Sequence, residues 1–114
     1  MKITSILLAT LGLLTSVLSS ASTLNVTNAT VTRVQAYETT DNSTNVWIHL
    51  NGNGRVGPNP INTGTTCELW TNNKTVYSTA LAALMSGKKV EVYYADRGEG
   101  TLWCKVVNFS ILSN

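Results

Sequence analysis

Apolar and polar positions alternate along most of the chain beyond residue 22, and the period changes only once. Val46-Trp47-Ile48-His49-Leu50 alternates cleanly, so Val46, Ile48 and Leu50 share one face and Trp47 and His49 the other. Lys89 to Tyr94 does the same, with Val90, Val92 and Tyr94 on one face and Glu91 and Tyr93 on the other. Both segments read as strands buried on one side. Upstream, Leu24 to Glu38 carries Val26, Val31, Val34, Ala36 and Tyr37 among Thr, Asn and Gln, a composition that favours extended chain. The alternation breaks between Val31 and Val34, which predicts a bulge or sharp bend in one long strand. Cys67 to Trp70 reads as a short third strand. Leu102 to Leu112 reads as the last, with Val107, Phe109 and Ile111 inward and Cys104 near its start.

Between Thr75 and Ser86 the period lengthens to three and four, with Val76, Tyr77, Ala80, Leu81, Leu84 and Met85 on one stripe. That spacing predicts an amphipathic helix. Thr75 is the expected cap at its start and Gly87 the expected left-handed residue after its end. Thr79, Ala82, Ala83 and Ser86 form the opposite, small-residue face; it is equally a plain solvent face or a surface on which helices of neighbouring copies could approach closely. Thr39 to Asn45, Thr71 to Lys74 and Asp96 to Gly100 read as turns. Asn51 to Thr66 holds four Gly and both Pro residues of the chain and reads as a long irregular loop, of the length that tends to carry function. Three strands, one helix and two strands, with a long bent first strand, predict a mainly β domain: a five-stranded OB-fold-like barrel whose single helix, between strands 3 and 4, plugs one end.

The N-terminus adds a compartment. Met1-Lys2 is followed by an apolar run from Ile3 to Leu18 and then Ser19-Ser20-Ala21-Ser22, the three-part pattern of a secretory signal peptide. The apolar run is 16 residues and is interrupted by Thr and Ser, short of the roughly 20 that a membrane-spanning helix needs. Cleavage after Ala21 leaves a single domain, 22–114, and removes Lys2, lowering the formal charge from +2 to +1. Charged residues make up only 12% of the chain and form no basic stripe, which excludes a nucleic-acid backbone as the expected partner. Solubility is left to Asn, Thr and Ser. The five Asn-X-Ser/Thr triplets, at Asn25, Asn28, Asn42, Asn73 and Asn108, read as a product of that composition in a bacterial, secreted or periplasmic protein.

Two cysteines in an exported chain are most simply one disulfide, Cys67 to Cys104. From Cys67 onward the pattern also looks familiar. A cysteine by the third strand is followed by the helix Tyr77-Ser-Thr-Ala-Leu-Ala-Ala-Leu-Met, then Ser86-Gly87-Lys88-Lys89-Val90-Glu91-Val92, a Gly turn, a second cysteine and a closing apolar strand. This stretch resembles the exported OB-fold proteins related to the binding (B) subunits of subtilase cytotoxin and pertussis-like toxins. The resemblance implies a secreted barrel with an internal disulfide and, as in the toxin members, a homo-pentameric ring that binds cell-surface glycans and partners an exported enzyme subunit. It carries over no individual sugar-contacting residue.

The chemistry-bearing residues are few. His49 is the one histidine, so one chain offers no histidine-based metal cluster, and no metal or cofactor is expected. Glu38 with Asp41, and Asp96 with Glu99, flank turns, where solvated acids normally lie; a carboxylate-pair hydrolase would need two of them close together. Gly52, Gly54 and Gly57 follow a strand, but Pro58 and Pro60 argue against a phosphate-cradling helix start there. No nucleophile motif is present, and the chain is expected not to be an enzyme. Binding has better material: Trp47, His49 and Tyr93 point away from the core on strands 2 and 4, with Arg33 and Gln35 expected nearby on strand 1. Aromatic rings beside hydrogen-bonding groups suit sugars; a minor core or a subunit contact is the plainer role for Trp47. Trp70 and Trp103, which flank the cysteines, are expected to pack around the disulfide. The alternative reading is a monomeric interaction protein, an inhibitor or envelope accessory, with no sugar site.

Overall fold

A computed structural model of the chain describes residues 23–97 and 102–113. The signal peptide and its cleavage site, expected at 1–21, lie outside the described residues, as do Glu99 and most of the expected Asp96–Gly100 turn. Five strands and one helix follow one another as β1 (Thr23–Ala36), β2 (Val46–Leu50), β3 (Glu68–Thr71), α1 (Lys74–Ser86), β4 (Lys89–Asp96) and β5 (Trp103–Ile111). The strands close into a barrel in the order β1-β2-β3-β5-β4. All neighbours are antiparallel except β3 and β5, which run parallel. With the helix between strands 3 and 4, this is the OB-fold arrangement expected from the sequence.

Closure depends on β1 bending far enough to pair with both of its neighbours. Its first half, Thr23 to Thr30, pairs with β4, and its second half, Val31 to Ala36, pairs with β2. Two irregularities make the bend. One lies between Val26 and Ala29, where Asn28 adopts a positive φ of 58°. The other sets Val31 opposite Leu50 but Arg33 opposite His49, so Thr32 is the extra residue of a bulge. The Thr32 hydroxyl accepts a hydrogen bond from the Gly52 backbone N–H at 2.8 Å, and the Thr30 N–H donates to Asn51 Oδ1 at 3.0 Å. The break in alternation after Val31 therefore marks a real bulge, pinned by the turn that ends β2.

The core is the set of inward positions of the alternating strands: Ala29, Val31, Val46, Ile48, Leu50, Leu69, Val90, Val92, Tyr94 and Val106, with both cysteines. Sequence parity fails in two places. On β5 the pairing slips between Tyr94 opposite Val106 and Tyr93 opposite Asn108. Val107 is the added residue, half exposed rather than inward, while Val106 is buried. On α1 the residues that touch the core are Ala80 and Ala83, flanked by Val76, Tyr77 and Leu84; Ala83 was expected outside. An arc centred on Ala80 places Met85 about 140° away at 3.6 residues per turn, and Met85 is 84% exposed. Two alanines let the helix sit closer to the barrel mouth than a row of large side chains would. Its start is capped by Asn73, not Thr75: Asn73 Oδ1 accepts from the Val76 N–H at 2.9 Å. Gly87, at φ 71°, ends it as expected.

The long loop between β2 and β3 is pinned by polar groups instead of apolar ones. Asn59 is fully buried; its Nδ2 donates to Asp96 Oδ1 at 2.8 Å and its Oδ1 accepts from the Ile61 N–H at 2.9 Å. The Tyr94 hydroxyl donates to the Pro58 carbonyl at 3.1 Å. These contacts lie at the end of β4 opposite the one that α1 feeds, so the loop is held against the other mouth of the barrel. Burial pushes the Tyr94 phenol above its ordinary value of 10.0. A folded-state value above the unfolded one gives stability that is whole below the unfolded value and is lost as pH rises through the folded one. An ultraviolet difference titration is expected to show one of the four tyrosines ionising at higher pH than the others. Tyr94→Phe removes the late step.

Candidate functional site

A groove of about 510 Å³ runs along the outer face of β2 and β3, lined by Gln35, Tyr37, Trp47, His49, Gly54, Arg55, Glu68 and Trp103. Each strand contributes by parity. On β2, burying Val46, Ile48 and Leu50 turns Trp47 and His49 outward, where β1 sets Gln35 and Arg33 opposite them. On β3 and β5, burying Cys67, Leu69 and Cys104 turns Glu68, Trp70 and Trp103 to the opposite face, where Trp70 is itself covered, and Glu68 is the register partner of Trp103.

Trp70 and Trp103 consequently do not pack around the disulfide. The Cys67–Cys104 bond is present, with Cα atoms 5.6 Å apart and both cysteines fully buried. A residue an odd number of positions from an inward cysteine along a strand faces the other side; Trp103 is one from Cys104 and Trp70 three from Cys67, and both join Trp47 there. Trp47 meets Trp103 edge to face at 5.3 Å, Trp70 at 6.5 Å and Tyr37 at 5.1 Å between ring centroids. The Arg97 guanidinium stacks on Trp70 at 4.7 Å and on Trp103 at 4.6 Å, and the Arg97 N–H donates to the Trp103 carbonyl at 3.2 Å. Trp70 Nε1 donates to Asn45 Oδ1 at 2.7 Å. The Trp47 indole N–H, by contrast, is buried with no acceptor among the described residues.

The polar wall is equally fixed. Arg55 donates through Nε to Thr66 Oγ1 at 2.7 Å, through one terminal nitrogen to the Thr66 carbonyl, and through the other to Glu68 Oε2 at 3.5 Å. The Gln35 amide donates to the Tyr37 hydroxyl at 3.1 Å. Gly54 lies against the His49 ring: a Cβ there would come within 3.1 Å of two imidazole atoms, so the missing side chain leaves His49 its place on the groove. Within the β1–β2 turn, hydrogen bonds from Ser43 to Asp41 lower that carboxyl from its usual value and brace the turn.

Of the three residues singled out in the sequence, the structure brings two together. Trp47 and His49 share the groove. Tyr93 stands opposite Asn25 and Asn108, eight positions along β1 from Arg33, or about 25 Å of strand. Strand 1 does lie between β2 and β4, but its length separates these side chains instead of gathering them. Tyr37, Arg55, Glu68 and Trp103 complete the groove and were not foreseen in it. Trp103 and Glu68 were within reach of parity counted from the cysteines; Tyr37 and Arg55 come from segments whose paths no local pattern dictates.

A second hollow of about 370 Å³ lies between the first turns of α1 and the β5 segment from Lys105 to Phe109. Among the described residues no three His, Cys, Asp or Glu side chains gather as a metal site would require, and no helix is long and apolar enough to cross a membrane. The acids are dispersed: Glu68 faces Arg55, Asp96 takes a hydrogen bond from Asn59, and Glu91 accepts from Asn25 Nδ2 at 3.1 Å. No curated protein matches the chain. Residues 4–109, a span that takes in β1 to β4 and most of β5, match the model of the family described as a family of unknown function (DUF5992), and the chain belongs to that family.

Proposed function

We propose that this chain is an exported, non-enzymatic binding module that takes a sugar ring of a cell-surface glycan in the groove on the β2–β3 face. The observation that carries this reading is the convergence of Tyr37, Trp47 and Trp103 with Gln35, His49, Arg55 and Glu68 on one groove. A pyranose offers an apolar face to an aromatic ring and a rim of hydroxyls to side chains that donate and accept. The same strand face and flanking loops are where OB barrels generally take oligosaccharides or oligonucleotides. The signal-peptide pattern and the buried disulfide support export. The likeness to toxin B subunits adds a ring assembly and an exported enzyme partner to the proposal.

A glycan array probed with the folded, disulfide-bonded protein tests it. Binding to a defined set of glycans is expected, with affinity reduced about tenfold or more, that is about 1.4 kcal/mol, by Trp103→Ala. Trp103 is 37% exposed, so this substitution is expected to leave the fold intact. A silent array from correctly folded protein that light scattering shows to be strictly monomeric would replace this reading with that of an interaction protein lacking a sugar site.

A further inference from the structure

The charges on the groove wall identify which sugars it admits. We infer that the groove selects neutral, vicinally hydroxylated sugars and rejects their carboxylated counterparts, with Glu68 as the residue that discriminates; this rests on the sugar-binding reading above.

Among the described residues the lining holds one cation, Arg55, and one anion, Glu68. Arg55 is largely engaged: Thr66 takes two of its five N–H donors, and a third faces Glu68 at 3.5 Å. A bidentate clamp on an incoming carboxylate needs two parallel guanidinium donors; the edge that includes Nε is held by Thr66 and the terminal nitrogen on the other edge faces Glu68, so a carboxylate clamped there would sit against the Glu68 carboxylate. Glu68 is the freer of the pair. Only Oε2 faces Arg55, which leaves Oε1 without a protein partner among the described residues, and the side chain is 40% exposed. An ionised carboxylate is acceptor-only. It can take hydrogen bonds from two adjacent hydroxyls, whereas it repels a carboxylate brought to the same place.

The other arginines on this side stand off the groove lining. Arg97 is stacked between Trp70 and Trp103, and Arg33 stands on β1 opposite His49; neither lines the groove. Specificity here therefore comes from an attractive contact for hydroxyls and a repulsive one for acids at the same oxygen atoms.

Matched probes test this directly. Calorimetric titration with methyl glucoside and methyl glucuronide, and with methyl galactoside and methyl galacturonide, compares rings that differ only in oxidation at the exocyclic carbon. At neutral pH and low salt, the neutral member of at least one pair is expected to bind about tenfold more tightly. Glu68→Gln, which keeps shape and hydrogen bonding but removes the charge, is expected to bring that ratio to within about threefold. Near-ultraviolet circular dichroism of the variant checks that the tryptophan cluster is unchanged. Uronides binding as tightly as the neutral glycosides, or a ratio that Glu68→Gln leaves untouched, would overturn the inference and leave the sugar-binding reading standing. Binding of neither class would overturn both.

Discussion

Replacing both cysteines, Cys67→Ala together with Cys104→Ala, is expected to cost about 4 kcal/mol, the chain-entropy value for a cross-link across 37 positions. The location makes that figure matter. The bond joins the starts of β3 and β5, the one parallel junction of the barrel, where only three register pairs connect the strands: Glu68 with Trp103, Leu69 with Cys104 and Trp70 with Lys105. Parallel pairing is the weaker kind per residue, and a domain of this size has only about 5–15 kcal/mol in total. The cross-link therefore supplies a large fraction of net stability. Urea titrations of the double variant and the parent, read by tryptophan fluorescence, are expected to show the midpoint falling accordingly, with a drop in Tm of roughly 15–30 °C. Because Glu68 and Trp103 each adjoin a bridged cysteine, the groove should loosen before the rest of the barrel opens. A double variant within about 1 kcal/mol of the parent would mean that β3 and β5 hold together without the bond.

That junction also shows where sequence patterns stop being informative. Alternation along β2 and β4 specified which side chains are buried, because a half-buried strand has a period of two. It also located the Thr32 bulge, because a bulge appears as a missed beat. The helix was visible through its period, but its rotation was not: seating it on Ala80 and Ala83 instead of Leu81 and Met85 depends on how closely it approaches the barrel mouth. Val107 was misplaced for a related reason, since a bulge on β5 reverses parity without altering local composition. The outward turn of Trp103 and Trp70 was available from the cysteines by counting one residue back from Cys104 and three on from Cys67. The positions of Tyr37 and Arg55 were not available, for they depend on loops fixed by distant partners, as Asn59 is by Asp96 at a separation of 37. The candidate site was thus half legible: its strand residues follow from parity, and its loop residues from tertiary contacts.

The sharpest difference between two substitutions at a single position is expected at Trp47. This residue touches Tyr37, Trp70 and Trp103 and also forms the groove wall, so Trp47→Ala removes the centre of the aromatic cluster. Truncating a core tryptophan costs about 3–5 kcal/mol; at this half-buried position the low end, about 3 kcal/mol, is expected, with glycan binding lost because Tyr37 and Trp103 no longer have a ring between them. Trp47→Phe should behave quite differently. The indole N–H is buried with no acceptor among the described residues, and a buried donor left unpaired costs roughly 1–3 kcal/mol in desolvation. Phenylalanine gives up some packing volume but also removes that donor, so the two effects oppose each other and the net change is expected to stay within about 1 kcal/mol. Denaturant unfolding of both variants measures the contrast, and the glycan array measures binding. Equal destabilisation by alanine and phenylalanine would mean that the N–H finds a partner in solution. Undiminished binding by Trp47→Ala would place the ligand elsewhere than on this groove.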